Sequence, residues 1–312
     1  MKLQSTKLNV LYSYAYLRSN KALETELLLL SEKGLINLLI DSGAFTAHNS
    51  GNPIDLPAYI EACKRYDGRC WQYVALDVIE DKEQTQENLN LMAKANLKPM
   101  PVLTTDEDVS MAMDMVAFNP HIGVPGGTRT KGDWMKQRFQ QVDKVTDGYA
   151  KIHGLGYVTF PEMYQLPLKT VDSSTWTMGR RFGRVHYFDK REGMKGFTVQ
   201  EMKQAKAQDI PGKLKNMWTS MGLNPKDRFK EEYYSGRDTF NNYTITEAYL
   251  DQFLYSRQQG LEFFFVCGDL IDIATIAAID RCRQEKGRVN YSRVKELIAK
   301  AKETKSIKDL LV

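Results

Sequence analysis

The sequence predicts an α/β chain folded as a (β/α)8 TIM-like barrel with a C-terminal helical extension, and three observations carry that expectation. Short β-rich runs alternate with charged amphipathic stretches from the N-terminus to about Trp176, the pattern of parallel strands joined by crossover helices. Polar residues gather at the C-terminal ends of those runs, where parallel barrels collect their catalytic groups. With 312 residues, 42% hydrophobic and 26% charged, the chain has the length and balance of a soluble domain with a sizeable core.

Taken in order, the expected strands are Leu8–Tyr14, Leu35–Asp41, Trp71–Asp77, Pro99–Leu103, His121–Pro125, Lys151–Gly156 and Thr170–Ser174. Between them Leu56–Tyr66, Gln84–Asn96, Glu107–Phe118 and Lys131–Asp147 have helical periodicity. An eighth strand has two candidates, Arg184–Asp189 and Leu261–Cys267, and the second run reads equally well as a buried helix, since a short apolar segment has no diagnostic period. No repeat or low-complexity linker interrupts the sequence. Residues 1–312 therefore read as a single domain, with a core at about 8–190 and an insertion and helical extension at about 191–312.

A formal net charge of +4 permits a polyanionic partner without requiring one. Cys63, Cys70, Cys267 and Cys282 lie too far apart for a close-spaced metal knuckle and read as reduced thiols of a cytoplasmic protein. The longest apolar stretch, Leu261–Ile279, is interrupted by Glu262, Gly268, Asp269 and Asp272 and so fails as a membrane span. Neither a metal nor a cofactor is expected, and the oligomeric state is left open.

Two strand ends carry the residues suited to glycosidic chemistry, which needs one carboxylate at the anomeric carbon and a second group to manage a proton. Asp41 stands in Leu39-Ile40-Asp41-Ser42-Gly43-Ala44-Phe45, where small residues let a ligand approach the backbone and Phe45 offers a flat surface. Asp172 stands in Thr170-Val171-Asp172-Ser173-Ser174-Thr175-Trp176. Either aspartate alone reads equally as a helix cap or a turn former. Their recurrence at strand ends of one architecture favours function.

The order of motifs from Leu35 to Arg184 resembles the tRNA-guanine transglycosylase superfamily, and most closely its DNA-acting phage-type branch. In that family an Asp-Ser-Gly-Gly-aromatic motif holds the general acid/base, matched by Asp41 to Phe45 with Ala44 in place of one glycine. Ala75-Leu76-Asp77 matches the strand whose aspartate reads the guanine edge, and Gly126-Gly127, or in its place Ile122-Gly123, the family's Gly-Gly turn, whose N–H groups would meet O6 of the base, although it reads equally as an ordinary strand-to-helix turn. His153-Gly154-Leu155-Gly156 is similar to the family's Gly-x-Gly strand end, and Asp172 to its nucleophile. Downstream arginines follow in both, here Arg180, Arg181 and Arg184, a basic cluster that reads as phosphate contacts or equally as a solvated basic face.

What the resemblance implies is a pentosyltransferase that exchanges guanine for a 7-deazaguanine base such as preQ0 through a covalent aspartyl-sugar intermediate. Asp172 would attack C1′, Asp41 would take the proton of the incoming base, and Phe45 and His153 would sandwich the ring, although a strand-end histidine is as often a core residue. The three clustered cysteines and histidine of the family's zinc subdomain have no counterpart, so the implied substrate is duplex DNA with its guanine flipped out, not tRNA. Three alternatives stand beside this: a tRNA-acting enzyme, an accessory nucleic-acid-binding relative without activity, and an N-glycoside hydrolase using the same carboxylates with water.

Overall fold

A computed structural model describes residues 7–126, 133–177, 183–206, 208–220, 222–224, 226, 240–287, 289–304 and 306–312. They fall into two compact units, one made of Leu8–Ser173 with Gln259–Gly268, the other of Met1–Lys7, Ser174–Gln258 and Asp269–Val312. Among the described residues the strands are β1 (Leu8–Ser13), β2 (Ile36–Asp41), β3 (Gln72–Tyr73), β4 (His121–Pro125), β5 (Lys151–Leu155), β6 (Leu168–Ser173), β7 (Arg184–Asp189), β8 (Gly193–Thr198) and β9 (Glu262–Val266).

The first unit holds a curled, all-parallel sheet of seven strands in the order β3-β2-β1-β9-β6-β5-β4, a half-barrel. Leu261–Cys267 thus contributes a strand, β9, inserted between β1 and β6. Arg184–Asp189 is also a strand, but it pairs antiparallel with β8 in the other unit, outside the parallel sheet. The expected core boundary near 190 therefore differs from the observed one: the sheet-bearing unit stops at Ser173 and resumes at Gln259. Pro99–Leu103, expected as a strand, makes isolated parallel bridges on both sides, Met100 to Val74 and Val102 to Gly123.

Strands covered on both faces read as continuous apolar runs, and β1 is buried at all six positions. Register sorts the faces. Asn9 pairs with Asn37, Leu11 with Leu39 and Ser13 with Asp41. Thr170 pairs with Glu262 and with His153, and Asp172 with Phe264. Since side chains alternate along a strand, those residues share one face. Across the N-terminal ends of the strands, Asn37 donates to Asn9 Oδ1 (2.7 Å) and Asn9 to Glu262 Oε2 (2.6 Å). Above them Leu11, Leu39, Val74, Met100, Val102 and Phe264 form a buried apolar layer. The same face ends in Asp41 and Asp172 at the C-terminal ends.

Outer helices fix the strands that carry the polar ends. Leu56–Tyr66 starts where Asp55 accepts the Ala58 amide at 3.0 Å, and buries Tyr59, Ala62, Cys63 and Tyr66, one stripe at helical spacing. Its Tyr59 hydroxyl donates to Val74 O at 2.6 Å, which ties the helix to the β3 segment. The second unit contains the β7–β8 hairpin and the helices Val199–Gln204, Gly212–Ser220, Phe240–Gln258, Leu270–Lys286, Tyr291–Thr304 and Lys308–Leu311. Among the described residues no helix is long and apolar enough to cross a membrane.

Candidate active site

Asp41 is the last residue of β2, and the chain turns sharply behind it. Its Oδ2 accepts the Gly43 amide at 2.9 Å. Gly43 has φ 86°, and a Cβ there would sit 2.7 Å from Ala15 Cβ, so this position needs glycine on both counts. Ala44 opens the helix Ala44–Ser50 with ordinary backbone, so alanine is tolerated where the family motif has its second glycine.

Asp77 is held by its neighbours. Leu76 O accepts from Asn88 Nδ2 (2.9 Å) and the Val78 amide donates to Thr85 Oγ1 (2.8 Å), both on the helix Lys82–Lys94. The cap of that helix is Asp81, whose carboxylate accepts the Gln84 amide at 2.9 Å, so Asp77 is free of capping. Buried Ser42 instead donates to Asp77 Oδ1 at 3.1 Å, linking the β2 turn to this carboxylate.

Asp172, on β6, is 8% exposed. Its Oδ1 accepts the amide of Gly156, 2.8 Å away in the turn after β5. Behind it lies His153, wholly buried, with Nε2 3.3 Å from the same Oδ1.

Electrostatics ties the three carboxylates together. Burial pushes Asp41 up to about 7, and the like charges of Asp77 and Asp172 push the same way, against the pull of the Gly43 amide. Asp77 rises to about 6, through burial first, with the Ser42 hydroxyl opposing. The mutual repulsion falls on Asp41 because Asp77 ionises earlier, while Asp41 still holds its proton. No lysine or arginine among the described residues pairs with any of the three. Carboxylates grouped in this way suit a transition state that carries positive charge.

The remaining expected residues are placed differently. Phe45 lies one residue into the helix after Asp41 and is 63% exposed, an open ring near the carboxylate. His153 is fully buried, so the expected sandwich of a base between Phe45 and His153 is not formed here. Gly126 follows β4, but its amide donates to Leu155 O at 2.7 Å and is not offered to a ligand. A Cβ at Gly126 would lie 2.8 Å from that oxygen and from Tyr157 Cβ, so close packing explains the glycine. Gly154 is likewise packed inside β5, 3.2 Å from Tyr157 Cβ when given a Cβ. Gly127, Arg180 and Arg181 lie outside the described residues. Arg184 is exposed at the start of β7, in the second unit.

Ser42, Gly156 and Thr170 are the site residues that sequence reasoning missed. Gly156 has φ 68°, a left-handed turn that returns its amide toward Asp172. Its glycine within the Gly-x-Gly run was the available signal. All four cysteines are free, Cys63, Cys267 and Cys282 buried and Cys70 half-buried. Among the described residues no three His, Cys, Asp or Glu side chains are grouped to hold a metal ion. The chain matches no family model and no curated protein.

Proposed function

We propose that this protein is a DNA-guanine transglycosylase that exchanges guanine in duplex DNA for a 7-deazaguanine base through a covalent aspartyl-sugar intermediate. One observation carries the reading: three carboxylates that end or follow strands of the sheet converge with no cation paired to them among the described residues, one raised to about 7 and one held by an amide. The motif order from Asp41 to Arg184 supports the choice of guanine and of DNA. On the fold, we propose that the Pro99–Leu103 segment closes the curled sheet into a full (β/α)8 barrel. Its bridges to Val74 and Gly123 on either side support that closure.

In the first half-reaction the C1′–N9 bond breaks and its electron pair goes to guanine, which takes the proton of Asp41, while an Asp172 oxygen bonds C1′. In the second, N9 of the incoming base attacks C1′, the ester pair returns to Asp172, and Asp41 recovers the proton. A group with pKa near 7 suits both transfers. Asp77 accepts from N1–H and the exocyclic amine of a flipped guanine. The protein acts in the cytoplasm, where its free cysteines stay reduced.

The test is incubation with radiolabelled guanine and either duplex DNA or bulk tRNA. Label retained by DNA is the expected result. Label in tRNA reassigns the polymer, and release of free base without retention makes the enzyme a hydrolase. Base reading has its own check. Asp77→Asn replaces one acceptor with a donor, so discrimination for guanine in a competition assay is expected to fall roughly tenfold to a hundredfold. Unchanged preference would remove Asp77 from the base edge.

Arg180, Arg181 and Arg184 are proposed to neutralise phosphates. A triple alanine variant should bind DNA with a log–log salt slope shallower by roughly two to three units, with the same modified sites at saturating protein. An unchanged slope in a salt titration would mean that these arginines do not meet DNA.

A further inference from the structure

His153, expected to stack on the base, stands instead beneath Asp172. It occupies the same face of the sheet on the neighbouring strand, one register step toward the N-terminal end, opposite Thr170. The ring is wholly buried. Nδ1 is 2.7 Å from Thr170 Oγ1, and Nε2 is 3.3 Å from Asp172 Oδ1, off the line of a formed hydrogen bond and without another partner. A carboxylate oxygen facing an imidazole lone pair is repelled, whereas one facing an N–H is attracted. The Nε2–H tautomer is therefore favoured, which makes Nδ1 the acceptor and the Thr170 hydroxyl its donor.

We infer that His153 is a positioning residue for Asp172, its Nε2–H tautomer set by the carboxylate it faces and its Nδ1 satisfied by the Thr170 hydroxyl, and that Oδ2 of Asp172 is the oxygen that attacks C1′. This inference rests on the exchange reading given above. Oδ1 already accepts the Gly156 amide at 2.8 Å and faces the imidazole from a second direction. Both donors therefore converge on Oδ1, and no donor among the described residues bonds Oδ2. When C1′ bonds Oδ2, Oδ1 becomes the ester carbonyl oxygen. When the incoming base displaces the ester, the electron pair returns to the carboxylate and the two donors stabilise it as it leaves. The 3.3 Å contact shortens as negative charge builds on Oδ1, since catalytic hydrogen bonds are often long in the unliganded site.

The experiment compares His153→Ala and His153→Gln with wild type, by exchange of radiolabelled guanine into DNA, by DNA affinity and by thermal melting. Glutamine keeps an N–H near the Nε2 position and alanine keeps none. His153→Ala is expected to lower kcat about tenfold to a hundredfold, the scale of losing a hydrogen bond to a charged group, with DNA affinity unchanged. Glutamine should restore most of that loss. Because a buried alanine variant can fail to fold, the second measurement uses intact protein: 15N spectra of the His153 ring are expected to show a protonated Nε2 and an unprotonated Nδ1. Asp172→Ala, which removes the carboxylate that Nε2 faces, should abolish that single-tautomer signature. A protonated Nδ1 in the wild type, or full kcat in folded His153→Ala, overturns the positioning role while leaving base exchange intact. A wild type that retains no label in either polymer overturns the exchange reading itself, and the ring spectrum then still decides the tautomer.

Discussion

Asp172→Ala is expected to abolish base exchange, by about 10⁴-fold or more, while DNA affinity and the melting temperature stay close to wild type. The size of the loss follows from the role. Without the carboxylate there is no ester, and a single displacement by the incoming base must bring two poor nucleophiles and leaving groups together on one sugar carbon. The mildness elsewhere follows from the surroundings. Asp172 packs against the Gly156 amide and the His153 ring, both of which a water molecule in the vacated space can satisfy. Denaturing gels should trap DNA on the wild type and not on the variant when no second base is supplied. Trapping by the alanine variant, or exchange at the wild-type rate, would end the assignment of Asp172 as nucleophile.

Asp41→Asn has two expected effects with opposite signs. Exchange should drop by about 10²- to 10⁴-fold, the usual contribution of a positioned general acid and base. Wild-type kcat/KM should peak between about 6 and 7, because Asp77 gains a proton below about 6 and Asp41 loses its proton above about 7. The residual rate of the variant should lack the alkaline limb. Stability moves the other way. The folded-state pKa of Asp41 lies above the model-peptide 3.8, so the stability carried by its protonated form is complete below about 3.8 and is lost as pH rises through about 7. Asparagine is neutral throughout and still accepts the Gly43 amide, so the variant should melt higher than wild type at about pH 8 and alike near pH 4. Equal melting at pH 8 would mean that Asp41 is not strained by its neighbours.

Much of this arrangement could be read before any coordinates. Asp41, Asp77 and Asp172 were legible because each is a polar residue at the end of an apolar β-rich run that alternates with charged, helix-like segments. The helix Leu56–Tyr66 matched its expected limits because Asp55, Pro57 and the stripe Tyr59, Ala62, Cys63, Tyr66 all agree locally. What failed to show were properties created by the neighbouring strand. Gly126 looks like an open turn, yet its amide is consumed by Leu155 across the ladder. His153 looks like a ligand residue, yet pairing with Thr170 turns it into the face beneath Asp172. Strand β9 was ambiguous for a different reason: Phe263, Phe264 and Phe265 are buried on both sides, so no alternation marks them as strand or helix.

That late strand also dictates how the molecule must come into being. Strand β9 lies between β1 and β6, so Val10 pairs with Phe265 across most of the length of the polypeptide, and Asp172 pairs with Phe264 across the whole of the second unit's Ser174–Gln258 segment. During synthesis the first six strands emerge well before their missing partner. Until it docks, β1 and β6 each keep an open row of N–H and C=O groups, the geometry that templates association between nascent chains. Pairings so distant in sequence make for slow folding, since the entropy of closing the loop is spent before any contact repays it. The carboxylate cluster is therefore among the last features of its unit to form, and its arrival, rather than the appearance of helices, marks the mature protein.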